Sequence, residues 1–210
     1  MIISTKKLLI IERAVELFAK SGFESTSVQE ITEACGISKG SFYLYFKSKE
    51  SLLFSIFEVF IDRVSKKVAS VFEMDSSPKD KLELFLCIQF EEIDQYSDFI
   101  LMLLREQTKP DETELFVLMQ KMDKQLNDTL KELLVGAYGI TIKRHIPDMI
   151  IMIKGLIKGY VELIIMYNRN FDFKKLANFL LYRIDSLVSG LTNPYLEEDF
   201  ILKIDDKKTT

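Results

Sequence analysis

Apolar residues recur at helical spacing along the chain, and no segment alternates with the two-residue period of a strand. In the first segment they fall at Leu8, Ile11, Ala14, Val15 and Phe18. This spacing predicts a helix over residues 5–21, and Gly22 can supply the left-handed residue that ends it.

Two short helices are predicted next, joined by a glycine turn. Ser27 and Glu30 have the spacing of a capping box, in which hydroxyl and carboxylate satisfy free backbone N–H groups at a helix start. Gly36 ends this second helix. Ser38 can cap a third helix, which we expect to run from residue 39 to about residue 45.

Six longer helices are predicted after these. Their starts are marked by Ser48, Pro78, Asp98, Pro110, Pro147 and Asp172. Five of their ends are expected near Met74, Gln107, Gly136, Asn168 and Gly190. About nine helices and no strand make the fold class all-α, with a domain boundary near residue 48 and a frayed polar end over residues 203–210.

Charge is distributed unevenly along the chain. The net charge of −4 by itself disfavours a nucleic-acid partner. Through Lys49, however, seven Lys or Arg face five Asp or Glu, a net +2, whereas the remainder has 21 against 27, a net −6. A small cationic surface on an acidic body gives weak support for DNA binding at one end.

Several other classes of site are disfavoured. Cys35 and Cys87 are too few for a disulfide framework, and with His145 as the single histidine a zinc site is not expected. No secretory signal is recognised, and the most apolar stretch, residues 149–167, contains three charged residues. We therefore expect a cytoplasmic protein with no membrane partner, no metal and no cofactor.

Residues 36–43 have the composition of a DNA-reading helix. Ile37 and Phe42 can anchor the helix to a core. The residues left for the DNA side are Ser38, Lys39, Gly40, Ser41 and Tyr43. Gly40 costs about 1 kcal/mol of helix stability relative to Ala. Either a close approach of the backbone to DNA or an unfavourable residue in the helix's first turn would account for it.

These residues form part of a longer pattern. It reads Gly22-Phe23-x-x-Thr26-Ser27-Val28-x-x-Ile31-x-x-x-x-Gly36-Ile37-Ser38-Lys39-Gly40-Ser41-Phe42-Tyr43-x-Tyr45-Phe46-x-Ser48-Lys49-x-x-Leu52. Over about residues 8–55 the chain closely resembles the TetR family of bacterial transcription regulators. The resemblance implies a three-helix helix-turn-helix DNA-binding domain over residues 1–48 and a larger helical ligand-binding and dimerisation domain over residues 49–210.

The resemblance also implies DNA contacts for individual residues. The matching positions are Ser27, Ser38, Lys39, Gly40, Ser41, Tyr43, Tyr45 and Lys49. Tyr43 and Lys49 match positions that commonly hold phosphate, and Tyr45 stands where the family usually has His. Lys39 would either donate to a guanine edge or hold a phosphate. Cys35 replaces the usual Ala, and a core role is expected there more than a redox role.

The larger domain offers residues for a ligand and for a second protomer. Adaptable apolar walls of a ligand pocket are predicted at Phe90, Phe99, Met102, Phe116, Met119, Met122, Met152 and Tyr160. Contacts of a homodimer are predicted at Gly155, Gly159, Leu180, Ile184 and Leu187. For each residue ordinary core packing is the alternative.

The chemistry of the effector stays open at this stage. Acidic residues of the middle helices would either suit a cationic ligand or form a solvated face; they are Glu91, Glu92, Asp94 and Glu106. A fatty acyl ligand would instead need a long apolar tunnel with a basic mouth.

The sequence therefore predicts a regulator that binds operator DNA as a homodimer, with repression relieved by a small hydrophobic molecule. No motif for a nucleophile, a phosphate-binding loop or a metal favours an enzyme. The alternative is a helical protein-interaction module that retains a helix-turn-helix core.

Overall fold

The computed structural model describes residues 4–106, 112–167 and 170–197, and the regular structure in these ranges is helical. The α-helices are α1 (Thr5–Ser21), α2 (Val28–Cys35), α3 (Lys39–Tyr43), α4 (Lys49–Glu73), α5 (Pro78–Gln95), α6 (Ser97–Glu106), α7 (Glu112–Tyr138), α8 (Ile146–Tyr167) and α9 (Phe173–Ser189). A 3₁₀ helix, Ile140–His145, precedes α8. The predicted all-α class is confirmed. The predicted helix boundaries at Gln107, Pro110 and Asn168 lie outside the described residues.

The described helices form two compact units. Of the described residues, those within Met1–Arg63 and Gln95–Met119 form the first unit, and those within Val64–Asp94 and Gln120–Thr210 form the second. Helices α4 and α7 each contribute residues to both units. The domain boundary that we predict near residue 48 stays a prediction.

The ends of the first two helices follow from local capping. The Ser4 hydroxyl accepts a hydrogen bond from the Lys7 amide at 3.2 Å. Gly22 ends α1, but with φ +91° and ψ +156° it does not have the left-handed helical conformation that we predict for it. The predicted capping box at the start of α2 is confirmed, because the Ser27 hydroxyl accepts from the Glu30 amide while the Glu30 carboxylate accepts from the Ser27 amide. Gly36 (φ +65°) then ends α2 in the left-handed conformation.

The first unit has a core of its own. Its buried apolar side chains include Ile10, Ile11, Ala14, Phe18, Phe23, Ile31, Phe42, Phe46, Leu52, Leu53, Ile56, Phe99 and Met102. The last two come from α6, and the Phe99 ring stacks on Phe18 with a centroid distance of 6.5 Å. Phe99 and Met102 therefore belong to the core of the first unit and are not available as the pocket walls predicted from sequence.

The second unit has a larger apolar core. Around it pack α5, α8, α9 and those parts of α4 and α7 that belong to this unit. Phe90, a predicted pocket residue, is fully buried in this core. Leu180 and Ile184 are also buried in it, so their side chains present nothing to a second protomer. Leu180 and Ile184 are therefore wrongly predicted as dimer contacts, because the side of α9 that carries them faces the protomer's own core. Leu187 is half-buried against the same core.

Ion pairs tie the helices of the second unit together. The Lys79 ammonium lies 2.6 Å from the Asp185 carboxylate, which also accepts from the Tyr138 hydroxyl at 2.9 Å. Lys67 pairs with Glu92, which is 1% exposed. Glu92 therefore does not form part of a solvated acidic face, although the neighbouring Glu91 is exposed.

Two further properties concern only the described residues. Within them, no helix combines the length and the apolarity that crossing a membrane requires. Across the same ranges, we find no group of three or more His, Cys, Asp or Glu side chains arranged to hold a metal ion.

Candidate nucleic-acid interface

Helices α2 and α3 are joined by the turn at Gly36, which gives the segment its helix-turn-helix geometry. Ser38 caps α3, since its hydroxyl accepts from the Ser41 amide at 3.2 Å. The Phe42 ring is fully buried and lies 5.5 Å from the Phe46 ring, measured between centroids. Ile37 packs against the same core. One side of α3 is thereby held against the first unit.

The opposite side of α3 is open to solvent. Ser38, Lys39 and Gly40 are exposed, and Tyr43 is 55% exposed. Four of the predicted DNA-contacting residues thus share one surface, which we call the α3 surface. Donor groups on an exposed helix of this kind can reach base edges or phosphates in the major groove.

Ser41 and Tyr45 are less exposed than the four residues of the α3 surface, and their DNA contacts stay predictions. Both are half-buried. The Ser41 amide donates to the helix cap, and the Tyr45 ring packs 6.5 Å from Phe46.

Packing within the protomer does not explain why residue 40 is a glycine. A Cβ atom added there would meet only the Ser38 hydroxyl oxygen, at 3.8 Å, which is an ordinary van der Waals distance. The backbone of Gly40 does not have a positive φ either. Intramolecular sterics therefore do not require glycine, and the missing side chain leaves the α3 backbone open to close approach from outside.

Ser27 is exposed, but its hydroxyl already has partners. It donates to the Glu30 carboxylate at 2.8 Å and accepts from the Glu30 amide at 3.2 Å. Hydrogen bonds from the Ser27 backbone and side chain lower the pKa of Glu30, which keeps the carboxylate charged. A phosphate would have to compete with this carboxylate for the hydroxyl proton, so Ser27 serves first as a helix cap.

Lys49 is half-buried, and its ammonium makes several contacts within the protomer. Its ammonium donates to the carbonyl oxygens of Phe23 (2.5 Å), Glu24 (3.3 Å) and Thr26 (3.1 Å). It also lies 4.3 Å from the centroid of the Phe23 ring. The structure thus gives this lysine an intramolecular role where the family resemblance implies a phosphate contact.

Two exposed residues near α3 were not singled out from the sequence. Leu44, just after α3, is 83% exposed, and Lys47 is exposed three residues later. An apolar side chain can contact a thymine methyl group, and a lysine can hold a phosphate. Helical periodicity does not identify them, because both lie in the non-helical connection to α4.

The remaining predicted pocket residues differ in how exposed they are. Phe116 and Met119, at the start of α7, are exposed. Met122 and Tyr160 are half-buried in the second unit, and the Tyr160 ring packs edge-on against Phe90 at 6.5 Å. Their role as ligand walls stays a prediction.

Met152 lines an open cleft of about 540 Å³ in the second unit. The cleft lies between the start of α8 and the segment after α9, and Ile151 and Leu191 also line it. The backbone amides of Tyr195 and Leu196 donate to the Asp148 carboxylate and hold that segment beside α8.

An exposed face of α8 carries both glycines of the predicted dimer contact. Ile151, Gly155, Gly159 and Leu163 are exposed and four residues apart, so they lie on one side of the helix. A Cβ atom at either glycine would meet nothing within 4 Å. On α9, Phe179 and Tyr182 are exposed too. We call these six residues the α8–α9 face.

Comparison with known proteins adds family relationships. Residues 10–56 match the family described as bacterial regulatory proteins, tetR family. The chain is 36% identical over 201 residues to the HTH-type transcriptional regulator YerO of Bacillus subtilis, covering 92% of this chain and 70% of YerO. It is 27% identical to the fatty acid metabolism regulator protein of the same organism, covering 90% of this chain and 96% of that protein.

A solved structure shares the fold. It is the transcriptional regulator FadR from Bacillus subtilis in complex with stearoyl-CoA, with a TM-score of 0.70 and 24% sequence identity. The match covers 88% of this chain and 99% of FadR. At this identity the likeness is one of fold.

Proposed function

Because the chain belongs to the TetR family of bacterial regulatory proteins, we propose that it is a homodimeric repressor that reads operator DNA with α3. The observation that carries this proposal is the α3 surface. Phe42 anchors one side of the helix in the core while Lys39, Gly40 and Tyr43 face solvent. The proposed role is binding, and it operates in the cytoplasm, where operator DNA lies.

A second protomer is part of the proposal. One short helix makes too few base contacts to define an operator, whereas a dimer places two such helices about 34 Å apart, one turn of DNA. We assign the contact to the α8–α9 face. Gly155 and Gly159 let a partner helix approach closely, and the exposed rings of Phe179 and Tyr182 supply apolar area.

The effector that we propose is a long-chain acyl thioester of coenzyme A. Support comes from the full-length similarity to the fatty acid metabolism regulator protein and from the shared fold with FadR, which binds stearoyl-CoA. The half-buried side chains of Met122, Met152 and Tyr160 are the pocket residues that we retain. Flexible methionine side chains suit an acyl chain of variable shape.

The proposed mechanism is a two-state equilibrium. The effector binds better to a conformation whose two α3 helices do not match the operator spacing, so it shifts the population away from DNA. Thermodynamic linkage then requires operator DNA to weaken effector binding by the same factor.

Fluorescence anisotropy with a duplex from the gene's own upstream region tests the proposal. We expect specific binding that weakens as salt rises, because protein–phosphate contacts release counterions. Stearoyl-CoA should release the duplex, and coenzyme A alone, the matched control, should not. If neither compound releases the duplex, the proposed acyl effector is refuted, whereas the proposed DNA-binding role is unaffected.

The DNA-binding role has its own test. Tyr43→Ala should weaken binding to every duplex, while Lys39→Ala should either change the preferred sequence or weaken binding uniformly. A parent protein that binds its upstream region no better than random duplex would favour the protein-interaction module instead.

A further inference from the structure

Lys49 occupies a cage of backbone carbonyls. Its ammonium reaches the oxygens of Phe23, Glu24 and Thr26, which belong to the turn between α1 and α2, and it lies over the Phe23 ring. An ammonium group has three N–H donors and no acceptor, so three carbonyls match its full hydrogen-bonding capacity. In this arrangement no donor is left for a phosphate oxygen.

The place of this cage in the chain gives it a structural consequence. Lys49 is the first residue of α4 and follows the recognition helix α3, whereas residues 23–26 precede α2. The contacts therefore join the residue that follows the helix-turn-helix to the turn that precedes it. The segment that contains α2 and α3 is thus held together at its two ends. The Thr26 hydroxyl, buried within the same turn, donates to the Gly22 carbonyl at 2.6 Å and holds the turn from inside.

We infer that Lys49 is a positioning residue that clamps the helix-turn-helix in its DNA-reading geometry and does not itself contact phosphate. The inference rests on the proposed DNA-binding function. Without the ammonium, three carbonyls of the turn lose their shared donor, and the turn before α2 loses these hydrogen bonds to the start of α4. The clamp acts on affinity through the orientation of α3.

The dependence of binding on salt separates a clamp from a phosphate contact. Each phosphate contact contributes about 0.9 to the slope of log K against log salt concentration, so losing one per protomer lowers the slope of a dimer by about 2. Lys49→Met removes the donors but keeps an apolar stem over Phe23. We expect it to weaken binding at least about tenfold, the equivalent of one charged hydrogen bond, with the slope unchanged.

The same substitution at two exposed lysines provides the matched control. Lys39→Met and Lys47→Met remove a positive charge beside α3 without touching the cage. Hydrogen exchange of the amides of residues 22–27 supplies a second readout. Exchange in this turn should rise in Lys49→Met and stay at the parent level in both controls.

Lys49→Arg keeps the test decisive if Lys49→Met does not fold. Arginine keeps the charge, but its planar fork cannot direct donors at three converging carbonyls. A clamp predicts weakened binding for this variant, whereas a phosphate contact predicts parental affinity and slope.

Three results would overturn the inference. One is a slope lowered by about 2 in Lys49→Met. Another is parental affinity in Lys49→Arg. The third is parental affinity in Lys49→Met accompanied only by a lower melting temperature, which marks a merely structural residue. A parent protein that binds no duplex specifically would instead refute the proposed function, and this inference with it.

Discussion

Replacing Gly40 by alanine should make the protein more stable and a poorer DNA binder. The added Cβ meets only the Ser38 hydroxyl oxygen at 3.8 Å, so the folded protomer accommodates it. Alanine is favoured over glycine by about 1 kcal/mol in a helix interior, and in the first turn of the short helix α3 we expect about 0.5 kcal/mol. For a chain of this length that corresponds to a rise in melting temperature of roughly 1–2 °C.

The effect on binding should have the opposite sign. If DNA approaches the α3 backbone closely, a methyl group at Gly40 overpacks the contact, at a cost of about 1–3 kcal/mol per protomer. That is a loss of affinity of roughly 5–150-fold for each α3 helix. Differential scanning calorimetry and fluorescence anisotropy on the same preparation measure the two quantities.

Gly136→Ala is the matched control, because Gly136 lies within α7, where a Cβ atom would meet Pro78 at an ordinary 3.6 Å. It should raise stability by about 1 kcal/mol and leave DNA binding unchanged. If Gly40→Ala binds as tightly as the parent, no close approach of DNA occurs there. The glycine would then be only an unfavourable residue in the first turn.

Three other perturbations test the dimer contact, the salt bridge between Lys79 and Asp185, and the core of the first unit. Gly159→Arg should raise the dimer dissociation constant by about a hundredfold or more in sedimentation velocity, since an unpaired guanidinium would be buried in the contact; an unchanged dimer would exclude the α8–α9 face. A hydrogen bond from Lys79 is the main cause that lowers the pKa of Asp185 in the folded state. Its stabilisation is therefore present above the unfolded pKa of about 3.9 and is lost as pH falls through the lower folded value. Melting temperatures from pH 6 to pH 2 should accordingly converge with those of Asp185→Asn at the acid end, and a constant gap would contradict this assignment. Phe42→Ala should cost about 3–5 kcal/mol in urea unfolding, because the ring is fully buried; a loss below about 1 kcal/mol would mean that Phe42 does not anchor α3.

Local sequence signals determined where the first helices begin and end. A serine at the cap and a glutamate three residues later satisfy each other's neighbouring amides whatever surrounds them, so Ser27 and Glu30 predict the start of α2 by themselves. Gly36 ends the helix for an equally local reason, since its left-handed conformation is open to glycine without strain. The apolar side chain of Phe42 likewise predicted that this residue anchors the recognition helix to the core, and its ring is fully buried.

Which element a residue meets was decided only by the tertiary structure. Helical spacing places Phe99, Leu180 and Ile184 on apolar stripes, but a stripe does not say whether a neighbouring helix, a ligand or a second protomer covers it. Packing assigned all three to the protomer's own cores, and it left Gly155 and Gly159 exposed.

The partners of Lys49 likewise could not be predicted from the sequence, which shows that the limit also applies to polar groups. Its flexible four-carbon stem lets the ammonium reach partners more than twenty residues away in sequence, so its chain position alone is compatible with either a phosphate or a carbonyl partner. Only folding brings the carbonyls of the α1–α2 turn within hydrogen-bonding distance of the start of α4. Local capping is thus encoded by neighbours in the chain, whereas the partners of long side chains depend on the three-dimensional arrangement of the helices.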